Sequence, residues 1–142
     1  MKKSVAILGF LLVSAQAAPA QSAADSAAIR ATALDYVEGW YTADAARMER
    51  AVHPELAKRI VQSDQNGRSR LGQQSAMTLV SATRGTQPVA ADQQVKDIRI
   101  LDIFGNSASV RADMAGWIDY MHMAKWNGQW RVVNVLWELR AR

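Results

Sequence analysis

The spacing of apolar residues follows a helical period in the first half of the chain and a strand period in the second. Within residues 22–41 the apolar residues recur at intervals of three or four: Ile29, Ala33, Tyr36, Val37 and Trp40. That spacing predicts a first helix with one apolar face. Gly39 lies inside it and costs ~1 kcal/mol relative to alanine, so we expect another backbone to approach closely there.

The middle of the chain predicts shorter elements. A second helix is predicted over residues 45–52, with Asp44 as its cap. His53-Pro54 ends that helix, because a residue before proline is pushed out of the α region. Residues 55–62 fit either a further helical turn or a short strand, and that alternative stays open.

Two polar, turn-rich segments frame a predicted third helix. Residues 63–70 and 84–93 are rich in turn-forming residues and predict exposed loops. Residues 71–83 lie between them and predict a helix, to which Met77, Leu79 and Val80 contribute the apolar positions.

Alternating apolar residues then predict four strands. They cover residues 95–103, 107–114, 117–126 and 130–140. Asn127-Gly128, between the last two, is the strongest short-range hairpin signal. Helices followed by a strand meander predict an α+β domain, with helices packed on one face of a curved antiparallel sheet.

The first twenty residues have the pattern of a secretory signal peptide. Lys2-Lys3 precedes a nine-residue apolar run, which is too short to span a bilayer. Ala18-Pro19-Ala20 supplies small residues for cleavage after Ala20, and Ala15-Gln16-Ala17 is an earlier alternative. We therefore expect export to the periplasm or the medium and a mature single domain of residues 21–142. A short membrane anchor is the alternative interpretation.

Charge and composition exclude several classes of protein. Without Lys2 and Lys3, 15 of the 17 basic residues remain against 13 acidic ones, a net charge of +2. Apart from Arg68 with Arg70 and the Arg140–Arg142 tail, this excess forms no stripe, so nucleic-acid binding is not predicted. The absence of cysteine excludes disulfides, thiol catalysis and zinc–thiolate sites.

An extended set of short motifs resembles a known family. The motifs are Asp35-Tyr36-Val37-Glu38-Gly39-Trp40-Tyr41 with Asp44, Arg50-Ala51-Val52-His53-Pro54-Glu55-Leu56, Gly105-Asn106 with Ala108-Ser109-Val110, Asp119-Tyr120-Met121-His122-Met123, and Lys125-Trp126-Asn127-Gly128-Gln129-Trp130. They resemble the NTF2-like superfamily, the cone-shaped α+β fold of nuclear transport factor 2, ketosteroid isomerases and polyketide cyclases. Within it, residues 29–138 are most similar to the bacterial group named "Putative lumazine-binding".

The resemblance implies roles for particular residues. Tyr36 matches the first-helix tyrosine that forms an oxyanion hole in the isomerases. His122 falls where the isomerases carry a protonated aspartate, their second oxyanion donor. The position of the catalytic base falls near Ile60, and Asp64 reaches it only with a shift of four residues. The first oxyanion donor is thus kept, the second is substituted and the catalytic base is missing.

The resemblance also implies which sheet face lines the cavity. With His122 inside, alternation predicts a common face for Ile118, Tyr120, Ala124, Trp126, Val133, Val135, Trp137 and Leu139. The opposite face would then carry Trp117, Asp119, Met121, Met123 and Lys125, with Asn134, Leu136 and Glu138 adjacent on the neighbouring strand. Sheet faces commonly pair in this superfamily, so we expect a homodimer through that opposite face.

Three functions follow from these expectations. The first is an exported protein that binds a small hydrophobic or aromatic ligand, such as a lumazine or another flat heterocycle, through Tyr36, Trp40, Tyr120, His122, Trp126 and Trp137. The second is an isomerase, cyclase or dehydratase in which Tyr36 and His122 are catalytic. The third is a structural or partner-binding dimer whose cone is filled by its own side chains.

Two further sites have alternative interpretations. His53 and His122 could share a metal ion, but no third ligand is evident, and no metal site or cofactor is predicted. Arg68 and Arg70, with Gln73-Gln74, are either a solvated loop or the rim of a cavity that attracts an anionic ligand.

Overall fold

The computed structural model describes the backbone of residues 18–141 and the side chains of residues 23–141. The predicted leader lies outside the described residues, apart from its last three positions, which begin the first helix. The helices are α1 (Ala18–Tyr41), α2 (Ala45–Ala51) and α3 (Ala76–Arg84), followed by one 3-10 turn (Ala91–Gln93). The strands are β1 (Val52–Ser63), β2 (Ser69–Ser75), β3 (Asp97–Phe104), β4 (Ser107–Asp113), β5 (Trp117–Trp126) and β6 (Gln129–Leu139).

The six strands form one sheet in the order β2-β1-β6-β5-β4-β3. Strands β1 and β6 run parallel, and the other neighbours are antiparallel. The three helices pack against one face of this sheet, which confirms the predicted α+β class. Within residues 18–141, no helix combines the length and apolarity that a membrane crossing requires.

The region of the predicted third helix is partly a strand. Asp64 Oδ1 accepts hydrogen bonds from the backbone N–H groups of Asn66 and Arg68, at 2.8 and 2.9 Å, and this turn reverses the chain. The residues that follow therefore pair with β1, and helix α3 starts only after Ser75, whose hydroxyl caps it by accepting from Thr78 N–H. The expectation of a helix from residue 71 was wrong, and residues 55–62 belong to a strand.

Helix α1 is fixed at both ends. Near its start, Asp25 Oδ1 accepts hydrogen bonds from Lys125 Nζ and Trp130 Nε1 at 2.8 and 2.9 Å. At its end, a β-carbon added to Gly39 would lie only 2.9 Å from the backbone nitrogen of Met48. The close backbone approach predicted at Gly39 is confirmed, and it sets the distance between α1 and α2.

A bulge in the last hairpin decides which residues face the helices. The Asn127-Gly128 turn is present, with positive φ angles of 47° and 77°. Met123 pairs with Val132, but His122 pairs with Asn134, so Val133 is an extra residue in β6. Beyond this bulge, even positions of β5 pair with even positions of β6. A hairpin without the bulge would pair even positions with odd ones.

The predicted orientation of β5 is therefore wrong. Asp119, Met121 and Met123 are buried beneath the helices, whereas Tyr120 and His122 are exposed on the outer face. The expectation for the second half of β6 holds in part, since Val135 is buried and Trp137 packs against the core.

Candidate functional site

The inner face of the sheet and the helices enclose a partly open cavity of about 220 Å³. Most of its wall is apolar, from Trp40, Met48, Leu79, Met114, Trp117, Trp137 and Leu139. The polar lining residues are Tyr36, Lys58, Gln74 and Asp119. An apolar wall with a few convergent polar groups is the usual composition of a small-molecule site.

Three of the polar residues form one buried cluster. Lys58 Nζ donates a hydrogen bond to Tyr36 Oη at 2.6 Å and another to Asp119 Oδ1 at 3.0 Å. Asp119 is fully buried, and only 8% of the Lys58 side chain is exposed. Trp117 Nε1 donates to the second carboxylate oxygen of Asp119 at 3.4 Å.

Each member of the cluster comes from a different element. Tyr36 is on the apolar face of α1, Lys58 is on the inner face of β1, and Asp119 is on the inner face of β5. Strand β6 lies between the two strands, and its Trp137 pairs with Asp119. Because the bulge at Val133 sets this register, it also brings Asp119 to the side of the sheet that carries Lys58.

Two aromatic rings lie close to the ammonium group of Lys58. Nζ lies 4.8 Å from the centre of the Trp137 ring and 5.3 Å from that of Tyr36, within the range of cation–π attraction. Trp40 and Trp117 meet edge to face, with their ring centres 6.1 Å apart, and complete the aromatic wall.

Burial shifts the ionisation of two members of the cluster. Loss of hydration lowers the pKa of Lys58 below its usual value, and the Asp119 carboxylate opposes that shift. Burial also raises the pKa of Tyr36 well above its usual value, and the charge of Asp119 raises it further. The Tyr36 hydroxyl therefore keeps its proton at neutral pH. Shifted pKa values of two neighbouring groups in a cavity are typical of functional sites.

The six predicted binding residues divide into two groups of three. Tyr36, Trp40 and Trp137 line the cavity, as the sequence predicted. Tyr120, His122 and Trp126 do not: they lie outside it, and Tyr120 and Trp126 are 45% and 56% exposed.

The predicted convergence of Tyr36 and His122 is wrong. Tyr36 is buried in the cavity, whereas the His122 ring is exposed on the outer face, where its Nδ1 lies 3.2 Å from Asn134 Nδ2. The catalytic roles that the sequence assigned to this pair have no common site. His53 packs edge to face against Trp126, with ring centres 4.9 Å apart, and its Nδ1 accepts from Glu55 N–H.

The predicted rim of the cavity is only partly present. Gln74 lines the cavity, but Gln73 accepts a hydrogen bond from Arg59 Nε at 2.9 Å. Arg68 and Arg70 line a separate, exposed depression at the β1–β2 hairpin.

Sequence reasoning missed Lys58 and Asp119. Lys58 lies in the segment whose secondary structure stayed open, so its face was not assigned. Asp119 was assigned to the outer face. A signal existed in each case: one charged residue interrupts an alternating row of apolar ones, Leu56 and Ile60 around Lys58, and Trp117 and Met121 around Asp119. A single charge inside an apolar row indicates a buried, paired charge.

Solved structures share this fold at low sequence identity. An NTF2-like protein of unknown function from Shewanella baltica superposes with a TM-score of 0.66 at 20% identity, covering 84% of this chain and 97% of that one. A second, from Silicibacter pomeroyi, gives 0.65 at 19% identity, covering 84% and 98%. A third, from Methylobacillus flagellatus, gives 0.62 at 20% identity, covering 83% and 94%. At this identity the likeness shows the fold, which is NTF2-like.

No curated protein matches the sequence. A family does: its description is "Putative lumazine-binding", and the match extends over residues 24–138, which include every residue that lines the cavity except Leu139. The chain belongs to this family of the NTF2-like superfamily.

Proposed function

We propose that the protein binds a small, flat, partly aromatic molecule in the cavity, and that Lys58, Asp119 and Tyr36 hold its polar edge. The observation that carries this proposal is a buried polar cluster in a cavity whose remaining wall is apolar and rich in tryptophan. A cavity of about 220 Å³ is smaller than the ~300–1,000 Å³ of sites for drug-sized ligands. It therefore suits a ligand of one or two fused rings.

The chemistry of the cluster favours a ring that carries a carbonyl next to an N–H group. The Lys58 ammonium donates to a carbonyl oxygen, and the neighbouring Asp119 carboxylate accepts from a ring N–H. Trp137, close to Lys58, offers an aromatic face to the ring itself. Lumazine, a two-ring heterocycle with such an edge, fits this description, as the name of the family suggests.

Titration calorimetry of the protein with lumazine tests the proposal. We expect saturable binding, and we expect Lys58→Met to weaken it about tenfold or more, because a hydrogen bond to a charged group contributes about 1.5–3 kcal/mol. Leu139 is exposed where it lines the cavity, so Leu139→Trp should obstruct entry. Met77→Trp, at an exposed position of α3 outside this cavity, is the matched control. Equal binding by all four proteins would contradict the proposal.

The cavity argues against a cone filled by its own side chains, since that alternative predicts no internal space. An isomerase or dehydratase that pairs Tyr36 with His122 is not favoured, because the two side chains lie on opposite sides of the sheet.

We also propose that the protein is exported and that the leader is removed. The support is the sequence pattern of residues 1–20 alone. N-terminal sequencing of protein recovered from the periplasm should give Gln21 as the first residue. Recovery of the uncleaved chain from the cytoplasm or the membrane would contradict this proposal.

We further propose a homodimer through the outer face of the sheet. In its support, Tyr120 and Leu136 are 45% and 50% exposed there, next to one another on paired strands. Light scattering should give the mass of a dimer for the wild type and of a monomer for Leu136→Glu. Met77→Glu, at an exposed position of α3, should remain dimeric. A wild type that stays monomeric at high concentration would contradict the proposal.

A further inference from the structure

Lys58 differs from the other two lysines that the structure describes. Lys96 and Lys125 are partly exposed and form ion pairs with Glu38 and Asp25. The Lys58 amine is buried and lines the cavity. A buried lysine beside an apolar pocket has the setting of lysines that react with carbonyl compounds.

The neighbours of Lys58 can supply the remaining chemistry. Asp119 Oδ1, 3.0 Å from Nζ, is placed to accept a proton from it and to return that proton. The Tyr36 hydroxyl, 2.6 Å from Nζ, is within reach of an oxygen on a carbon bonded to that nitrogen. Three groups with these functions thus meet in the wall of one cavity.

We propose that Lys58 is a nucleophile that captures a small aromatic aldehyde or ketone in this cavity as a protonated imine. The inference rests on the proposed ligand-binding function of the same cavity and adds a covalent step to it. The class of ligand follows from the apolar aromatic wall, which accepts a ring, and from the amine, which reacts with a carbonyl carbon.

The step balances without any further reactant. The ammonium of Lys58 passes one proton to Asp119, and the free amine attacks the carbonyl carbon to form a C–N bond. The carbonyl oxygen, hydrogen-bonded by Tyr36, takes up the proton held by Asp119 and a second proton from the nitrogen, and leaves as one molecule of water when the C–O bond breaks. The nitrogen keeps one proton, so that an ammonium and a carbonyl compound become an iminium ion and water. The positive charge remains beside Asp119.

Burial favours this step at neutral pH. Because loss of hydration lowers the pKa of Lys58, its amine is free of the proton more often than that of an exposed lysine. Each unit by which a pKa falls raises the fraction of free amine about tenfold at pH values well below the pKa.

Reductive trapping tests the inference on the full chain. The protein is incubated at neutral pH with benzaldehyde and cyanoborohydride, which reduces an iminium to a stable benzylamine. Peptide mass spectrometry then measures the rate at each lysine. We expect benzylation of Lys58 to be at least ~10-fold faster than that of Lys96 or Lys125, because the cavity holds the aldehyde next to the Lys58 amine. Benzyl alcohol, which has the same ring but forms no imine, should protect Lys58 and leave the other two rates unchanged.

Two variants separate reaction at Lys58 from general labelling. Lys58→Arg keeps the positive charge but forms no imine under these conditions, so the fast, protectable label should disappear. Lys96→Arg is the matched control and should retain it. Because the comparison among lysines is made in the wild type, the test does not depend on the folding of Lys58→Arg.

Each outcome has a definite meaning. Equal labelling of the three lysines, or fast labelling of Lys58 that benzyl alcohol does not reduce, would overturn the inference. Binding of lumazine or benzyl alcohol without fast labelling of Lys58 would overturn the covalent step and leave the proposed ligand binding intact. Failure of all these probes to bind would overturn both.

Discussion

Lys58 and Asp119 hold opposite charges in a part of the protein that excludes most water. Removing two charges from water costs several kcal/mol for each ion, and their attraction repays that only with good geometry. Here the geometry is good, since the ammonium also donates to Tyr36 and faces two aromatic rings. An apolar pair of similar volume would fill the same space without the desolvation penalty. The ion pair is therefore better explained by ligand binding than by stability.

Substitution of the pair should separate stability from function. Asp119→Ala leaves a buried ammonium without its partner, so we expect the free energy of unfolding to fall by about 3–5 kcal/mol. Lys58→Met with Asp119→Leu should restore stability, or exceed it by about 1–4 kcal/mol, but abolish lumazine binding. Urea unfolding provides the measurement. Lys96→Met, in an exposed pair, should change stability by less than ~1 kcal/mol. A double variant as unstable as Asp119→Ala would contradict this explanation.

The same cluster predicts a dependence of stability on pH. Folding lowers the pKa of Lys58 below its ordinary 10.5. Between the lowered pKa and 10.5, the unfolded chain therefore binds more protons than the folded chain, and stability rises with pH. Folding raises the pKa of Tyr36 above its ordinary 10.0, so above pH 10.0 the folded chain binds more protons and stability falls. Unfolding measured across the alkaline range should show a rise and then a fall. Lys58→Met should lose the rise and keep the fall; an unchanged profile would contradict the assignment.

Among the residues that line the cavity, the sequence predicted the positions of aromatic residues better than those of charged ones. Tyr36 and Trp40 were placed correctly because they belong to a long helix with a clear period. Lys58 was missed because its segment is short and ambiguous between helix and strand. Asp119 was missed because its face depends on a single extra residue in the neighbouring strand.

The elements are fixed relative to one another by a few local features. Gly39 brings the backbone of α2 against α1, and Asp25 attaches α1 to the last hairpin. The bulge at Val133 turns Asp119 and Trp137 to the same side. Hydrophobic periodicity predicts such elements but did not reveal this bulge, because Val132 and Val133 are both apolar and the pattern of β6 therefore fits either face.

Gly39→Ala should destabilise the protein despite the higher helix propensity of alanine. Propensity alone favours alanine by ~1 kcal/mol. The added carbon would lie 2.9 Å from the backbone nitrogen of Met48 and 3.2 Å from the carbonyl oxygen of Asp44, so α2 would have to move. We expect a lower melting temperature in a calorimetric scan. Ala28→Gly, within the same helix but on its exposed side, measures the propensity effect alone. A melting temperature raised by Gly39→Ala would contradict the close contact.

Deletion of Val133 tests the role of the bulge. Met123 pairs with Val132 and His122 with Asn134, so a chain in which Val132 joins Asn134 directly can form an uninterrupted ladder that keeps every present β5–β6 pair. Side chains that face the helices should therefore still face them, and we expect cooperative unfolding in circular dichroism. Val133→Ala keeps the length of the strand and should also unfold cooperatively. Loss of cooperative unfolding in the deletion variant alone would contradict the assignment of Val133 as the extra residue.

At the scale of the whole molecule, the sheet has two different faces. The inner face carries Lys58, Asp119 and Trp137, and together with the helices, which supply Tyr36, it encloses the cavity. The outer face carries Tyr120, His122 and Leu136, which are exposed. The sequence predicted the α+β class because the change of period is strong, and it predicted that one face would hold a ligand. It assigned β5 to the wrong face, so the proposed site now rests on a different set of polar residues.

A crystal structure of the protein with lumazine bound would test the proposed site most directly. We expect the heterocycle inside the cavity, with its ring against Trp137 and its carbonyl oxygen about 3 Å from Lys58 Nζ. A heterocycle on the outer face, beside Tyr120, His122 and Trp126, would contradict the proposed site. A cavity that stays empty at saturating lumazine would contradict it as well.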